Sequence, residues 1–245
     1  MSGNYQMRKT LVIWVMVLFT SAQLPAQYMR GGFGYGFFGP VYNLSPTVQN
    51  DLKVPSLLGD GLQLNGLSIL AGGGGYGLLN NNILIGGSGF SYKISDATQR
   101  GQANFSIGGG FVNFGYLHIA KNSMMAFPYF GIGACGMDLR IKNDTPDDIF
   151  VLGSVTIEPG ENKNFNSAAI GLEMGYAIKL LAFSIDKYGS NGGFMVGLQI
   201  GTYFFSGIDN WHEKNTDDVI PVFSRPYVFS PYLRLTVGGG GFSQQ

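Results

Sequence analysis

Charge is the scarcest ingredient of this 245-residue chain. Lys and Arg number 15, Asp and Glu 15, together 12% of the sequence, and the net charge is zero. Soluble globular domains carry about 25% charged residues, so this chain has little with which to cover a wet exterior. A zero balance also removes the electrostatic case for binding nucleic acid. There is one cysteine, Cys135, so no intramolecular disulfide can form. Long apolar runs are missing too. The run from Leu11 to Phe19 is well short of the ~20 residues that a bilayer-spanning helix needs.

What is abundant is glycine, at 39 residues, and aromatic side chains, at 14%. The glycines have no three-residue period, which excludes a collagen-like chain, and the apolar content excludes disorder. Arg8 and Lys9 precede the short apolar run, and Leu24-Pro25-Ala26-Gln27 follows it. That order predicts a secretory signal over residues 1–26, cleaved after Ala26, and an exported domain over 27–245.

Within the exported part, side chains alternate with a period of two. Ala168, Ile170, Leu172, Met174, Tyr176 and Ile178 share one face of a strand, opposite Ala169, Gly171, Glu173, Gly175, Ala177 and Lys179. The segment 194–205 repeats this, as does the stretch from Phe229 to Gly238. Strands are predicted at 30–39, 62–77, 82–95, 103–120, 125–142, 166–187, 192–208 and 227–242. A phase slip near Cys135-Gly136 predicts a β-bulge there.

The connections alternate between tight turns and mostly longer loops, the longest at about 40–61, 143–165 and 209–226. Long loops at one end and short turns at the other describe an up-and-down barrel of the outer-membrane kind. Both chain ends are then expected on the turn side. A soluble carrier barrel would need a charged exterior. Here the less apolar face is mostly Gly, Ala, Ser and Gln, which suits a narrow, filled lumen, while the aliphatic and aromatic face suits hydrocarbon. The predicted fold is an all-β, eight-stranded antiparallel transmembrane barrel.

Gly72, Gly74 and Gly77 spell G-x-G-x-x-G, the spacing of a dinucleotide-binding turn, with Asp96 where a ribose-binding acid would stand. Such a turn must open a helix. Leu78 to Asn82 reads instead as a turn, and Ile83-Leu84-Ile85 as a returning strand, so the stretch is a β-hairpin.

Chemistry-bearing residues are few. Glu173, Lys179 and Arg234 fall on the expected lumen face, and Asp138 and Arg140 join them if the slip at Gly136 is a bulge. Buried charges need partners, so these five are expected to form a polar network plugging the lumen; the functional alternative is an ion or proton path. The glycines at 171, 175, 197 and 201 either make room for Tyr203, Phe205 and Tyr232 or leave a small ligand cavity. His118 near a turn, with Ser123 nearby, and His212 in the last loop match no catalytic spacing. The acidic loops, with Asp144, Asp147, Asp148, Glu158 and Glu161 in one and Asp209, Glu213, Asp217 and Asp218 in the other, match no calcium-binding spacing. Neither a catalytic residue, a metal nor a cofactor is expected. Ser45-Pro46 predicts a helix start in the first loop.

The signal ending in Ala-Gln, the first strand "GGFGYGFFGP", the pair "GGGGYGLLNNNILIGGSGF" and the segment "FPYFGIGACG" resemble small outer-membrane β-barrel proteins of the Bacteroidota type. The resemblance covers nearly all of the exported chain. It implies contact with outer-membrane lipids and insertion by the barrel-assembly machinery. Many outer-membrane barrels end on an aromatic residue, whereas this sequence ends Phe242-Ser-Gln-Gln. The expected role is structural, or the binding of an extracellular ligand through the first, third and fourth loops. The alternatives are a narrow pore or carrier for a small hydrophobic solute, a lipid-modifying enzyme, and a soluble secreted barrel.

Overall fold

The computed structural model describes residues 29–53, 63–79, 82–121, 123–152, 155–187, 190–214, 216 and 223–244. The expected signal and its cleavage site lie outside them. In chain order the elements are β1 (Met29–Asn43), α1 (Pro46–Lys53), β2 (Gly66–Leu78), β3 (Ile83–Ala97), β4 (Gly101–Tyr116), β5 (Ile119–Lys121) and β6 (Met124–Asn143). They continue with β7 (Phe150–Leu152), β8 (Val155–Ile157), β9 (Asn162–Lys187), β10 (Ser190–Gly207), β11 (His212–Glu213) and β12 (Tyr227–Gln244).

Eight of these strands form the barrel: β1, β2, β3, β4, β6, β9, β10 and β12, each antiparallel to the next. β12 closes the ring by pairing with β1, from Met29 opposite Gln244 to Val41 opposite Tyr232. Closure gives every barrel strand a hydrogen-bonded neighbour on both sides, as a spanning sheet requires. All eight barrel strands coincide with the predicted ones to within a few residues. The short β5 and β11 extend the sheet, and β7 and β8 make a separate hairpin.

β2 meets β3, β4 meets β6 and β9 meets β10 across short sequence separations at one end, and the described parts of the other connections, 44–53, 63–65, 98–100, 144–152, 155–161, 208–214 and 223–226, lie at the other. The hairpin that contains the glycine motif turns through Asn82, which takes a positive φ of 67°. The expected helix start is present, with the Gln49 amide donating to the Ser45 carbonyl at 2.9 Å.

No bulge interrupts β6 at Cys135-Gly136. Its pairing with β4 and with β9 runs through that point in unbroken register. The apolar phase changes because the surroundings change, not the backbone. Turn-ward of this point Phe130 and Ile132 point outward, and beyond it Met137, Leu139 and Ile141 point inward. Across the sheet, outward Lys93, Ser106, Asp138 and Asn166 sit opposite one another on β3, β4, β6 and β9. Loop-ward of that row the outer face of β4, β6 and β9 carries Gln102, Asn104, Arg140, Lys142, Asn162 and Asn164. Turn-ward it carries Val112, Phe114, Ile132, Ile170 and Leu172, all well exposed. On β4, β6 and β9 the row marks where the wall leaves hydrocarbon for water. The six residues of β6 from Asp138 onward project roughly 20 Å along the strand beyond it. The register does slip elsewhere, between Phe194 and Met195 against β9.

Glycine and aromatics are shared between the faces differently from expectation. The lumen face of β1 to β6 is aromatic, with Phe33, Tyr35, Phe37, Tyr76, Phe90 and Phe111 buried inside. The outward positions beside them are often glycine: Gly34 and Gly36 face Gly75 and Gly73, which in turn face Gly87 and Gly89. With eight strands the interior is just wide enough for side chains to fill, and here rings fill it.

Candidate functional site

The buried polar residues converge at mid-lumen, where β9, β10 and β12 present Glu173, Gln199 and Arg234, all with no exposed surface. These strands are neighbours, so alternation delivers the three side chains to one level of the interior. The Arg234 guanidinium spreads its donors over three partners: Glu173 Oε1 at 2.9 Å, Gln199 Oε1 at 2.6 Å and the Tyr203 hydroxyl at 2.8 Å. Its Cζ also lies 4.0 Å from the Phe37 ring centroid, a cation–π contact strengthened by desolvation.

Glu173 is equally saturated. Its Oε1 accepts from the Tyr232 hydroxyl at 2.6 Å, and its Oε2 from Ser88 at 3.3 Å. Tyr232 has spent its one proton on the carboxylate. The 2.6 Å contact between the Tyr129 and Tyr232 hydroxyls therefore has Tyr129 as donor. Asn113 in turn donates to Ser88 at 2.9 Å. This is a buried ion pair in which both members carry further hydrogen bonds, which helps to offset the cost of burying the charges.

Lys179 occupies a separate position. It is buried, donates to Thr236 Oγ1 at 2.5 Å and lies 3.9 Å over the Tyr35 ring. Among the described residues no carboxylate stands within ion-pair distance of it. Asp138 and Arg140, expected in the same network, are exposed on the outer wall. Asp138 stands at the hydrocarbon boundary and Arg140 beyond it, because β6 keeps its phase and only its environment inverts. Gln199 was legible from sequence, standing on the inward phase of β10 between Gly197 and Gly201. Ser88, Asn113, Tyr129 and Thr236 carried no comparable signal.

The inward glycines make room for these rings. A side-chain carbon at Gly171 would come within 2.6 Å of the Phe205 ring, one at Gly175 within 2.5 Å of the Tyr129 hydroxyl, and one at Gly201 within 2.5 Å of the Tyr232 hydroxyl. At Gly197 it would meet the Lys179 stem at 2.6 Å. Loop-ward of the ion pair, Phe90, Phe111, Tyr203 and Phe205 stack, with Phe90 and Tyr203 centroids 4.7 Å apart. Turn-ward, Phe33, Tyr76 and Phe127 pack against one another. Polar groups in the middle are thus bounded by apolar layers on both sides.

Above the membrane the described parts of the loops form a folded cap. Asn43 and Asn143, wholly buried at the ends of β1 and β6, tie it down. Asn43 donates to the Leu64 carbonyl at 2.9 Å, and Asn143 to the carbonyls of Asp148 and Ile157 at 2.6 and 3.0 Å. Trp211, Phe223 and Phe165 pack edge to face beneath. The loop acids are largely engaged: Asp144 by Lys142, Asp148 by Arg100, and Glu161 and Glu213 by Lys163. Among the described residues no three metal-binding side chains converge.

The cap carries a pH dependence. The Glu158 amide, 3.0 Å from Glu161, holds that carboxyl below the usual range, and Lys163 adds to the effect. The bond from Lys163 to Glu213, 2.8 Å, raises the lysine. Glu161 therefore stabilises the cap above the ordinary carboxylate range and loses its part as pH falls through its lowered pKa. Lys163 contributes below the ordinary lysine range and loses its part as pH rises through its raised pKa. Proteolytic nicking within 144–161 is expected to be slowest between about pH 5 and 10 and faster on either side. A flat profile would contradict it.

The two histidines sit at opposite ends of the barrel. His118 Nε2 contacts the Tyr176 hydroxyl at 2.8 Å at the turn end, and His212 stands 3.3 Å from Asp209 in the cap. They cannot serve one reaction centre.

An even number of antiparallel strands, turns at one end, longer loops at the other and an apolar belt are the architecture of outer-membrane barrels. The protein spans an outer membrane. No protein-family model matches the sequence, and no curated protein resembles it significantly. Solved structures similar to it include Ail, the attachment invasion locus protein of Yersinia pestis, at 10% identity and a TM-score of 0.41, covering 88% of this chain and 99% of that one. Neisserial surface protein A is similar at 10% identity and 0.37, covering 87% and 97%. The outer membrane protease OmpT of Escherichia coli is similar at 10% and 0.33, covering 91% and 100%. At such identities none of their activities carries over.

Proposed function

We propose that the protein is a filled barrel with a structural or binding role, which displays a folded cap outside the membrane and neither conducts nor catalyses. The observation that carries this reading is the Arg234–Glu173 pair, buried, hydrogen-bonded on both members and bounded by aromatic layers on both sides. A conducting lumen would need a continuous wet path, and these layers oppose one. Binding at the cap is supported by the β7–β8 hairpin. It buries Phe150, Val155 and Ile157 but leaves Ile149 and Val151 57% and 55% exposed, beside Asp147 and Asp148. Exposed apolar groups ringed by polar ones suit a macromolecular ligand. The glycine- and aromatic-rich strands support placing the chain among small barrels of the Bacteroidota type, with residues 1–26 removed on export and the assembly machinery inserting 27–245.

Planar-bilayer recordings of the refolded protein test the reading. The expected result is silence from samples whose unheated band migrates as folded barrel. Reproducible unitary currents from the same samples would overturn it in favour of a pore.

A further inference from the structure

On the outer wall, at the loop side of the hydrocarbon belt, lies an apolar groove of about 500 Å³. It is lined by Phe38 and Pro40 of β1, Leu67 and Ile69 of β2, and Leu233 and Leu235 of β12, with Leu198 of β10 at its far side. Its origin is local. Proline has no amide to donate, and the β1–β12 pairing skips Gly39 and Pro40. The β2–β3 pairing ends at Ala71 and Ser91, so β2 and β3 separate above that point. Ser68, in the groove wall, bridges the separation by donating its hydroxyl to the Lys93 carbonyl at 2.5 Å.

That bond holds the backbone of Lys93 beside Ser68 of the groove wall. Lys93 points outward, is exposed, and has no carboxylate within ion-pair distance among the described residues. It also belongs to the row Lys93–Ser106–Asp138–Asn166 that marks the exit from hydrocarbon. An uncompensated cation therefore stands at headgroup level beside an apolar trough that runs below it. A molecule matching both features has an apolar chain and an anionic group at its interfacial end.

We propose that the groove seats one acyl chain of an anionic lipid of the outer leaflet, with the lipid's phosphate held by Lys93. This rests on the loop end facing outward, as in the proposed function. The two readings fail separately, because current and lipid retention are independent measurements.

The test uses the refolded, detergent-solubilised protein mixed with phosphatidylglycerol or with phosphatidylcholine of identical chains, and counts retained lipids by native mass spectrometry. A band-shift gel on each sample confirms the folded barrel. One phosphatidylglycerol is expected to be retained about fivefold more than phosphatidylcholine, the preference a single interfacial lysine supplies. Lys93→Gln is expected to abolish the preference, and Leu233→Trp, which fills the groove, to lower retention of both lipids. Leu172→Trp, on the far wall, is expected to change neither. Equal retention of the two lipids by the unaltered protein overturns the proposal. So does a preference that survives Lys93→Gln, or a loss that Leu172→Trp reproduces.

Discussion

Replacing Glu173 by leucine is expected to destabilise the barrel by about 3–5 kcal/mol, the cost of leaving one member of a buried ion pair without its partner. The guanidinium of Arg234 would keep Gln199 and Tyr203 but lose the carboxylate that it contacts at 2.9 Å. Tyr232 would also lose the acceptor of its 2.6 Å bond. Neither group can reach water, since the stacked rings lie on one side and the Phe33 layer on the other. Urea unfolding in detergent or vesicles, followed by the fluorescence of Trp211, measures the loss. The double variant Glu173→Leu/Arg234→Met is expected to lose less than the single one, because it removes both charges and leaves no buried charge without its partner. If the double variant is the less stable of the two, the pair is not what holds the centre of the lumen.

That network shows where sequence reading reaches and where it stops. Alternation within one strand sufficed to put Glu173, Lys179 and Arg234 inside, because β9, β10 and β12 carry a mostly apolar face outward across the membrane. It could not say that Glu173 meets Arg234 while Lys179 meets Thr236 and the Tyr35 ring. Those meetings depend on the stagger of the strands around the barrel, which no single strand encodes. Asp138 and Arg140 went astray for a different reason. A bulge and a passage from hydrocarbon to water leave the same trace in one strand, an inversion of the apolar phase. Only the neighbours distinguish them, through the outward row from Lys93 to Asn166. In β1, β2 and β3 glycines stand on both faces, so periodicity revealed strands but not that their inward side is aromatic.

The glycine motif at 72–77 separates these roles at single positions, and alanine substitution is expected to expose the difference. A side-chain carbon at Gly74 would stand 2.5 Å from the Gly87 carbonyl oxygen and 3.0 Å from the Ser88 Cα. One at Gly72 would run into the Gly89 carbonyl and the Phe37 ring, 2.5 Å away at Cζ. In both cases the obstacle includes the backbone of β3, which cannot rotate aside as a flexible side chain would. Gly77, on the outward phase, would meet nothing nearer than the Ile85 carbonyl oxygen at 3.8 Å, an ordinary contact. Gly72→Ala and Gly74→Ala are each expected to cost about 1–3 kcal/mol through overpacking. Gly77→Ala is expected to be neutral or to stabilise by up to about 1 kcal/mol, since alanine loses less backbone entropy than glycine in a strand. Urea midpoints and the folded fraction on unheated gels rank the three. Were Gly77→Ala as damaging as Gly74→Ala, the motif would be answering to something other than the pairing of β2 with β3. The spacing that imitates a phosphate-binding turn thus has its cause in strand geometry. Two of its glycines let β2 lie close against β3 and the lumen rings, and the third fell on the outer face of a chain in which glycine is plentiful.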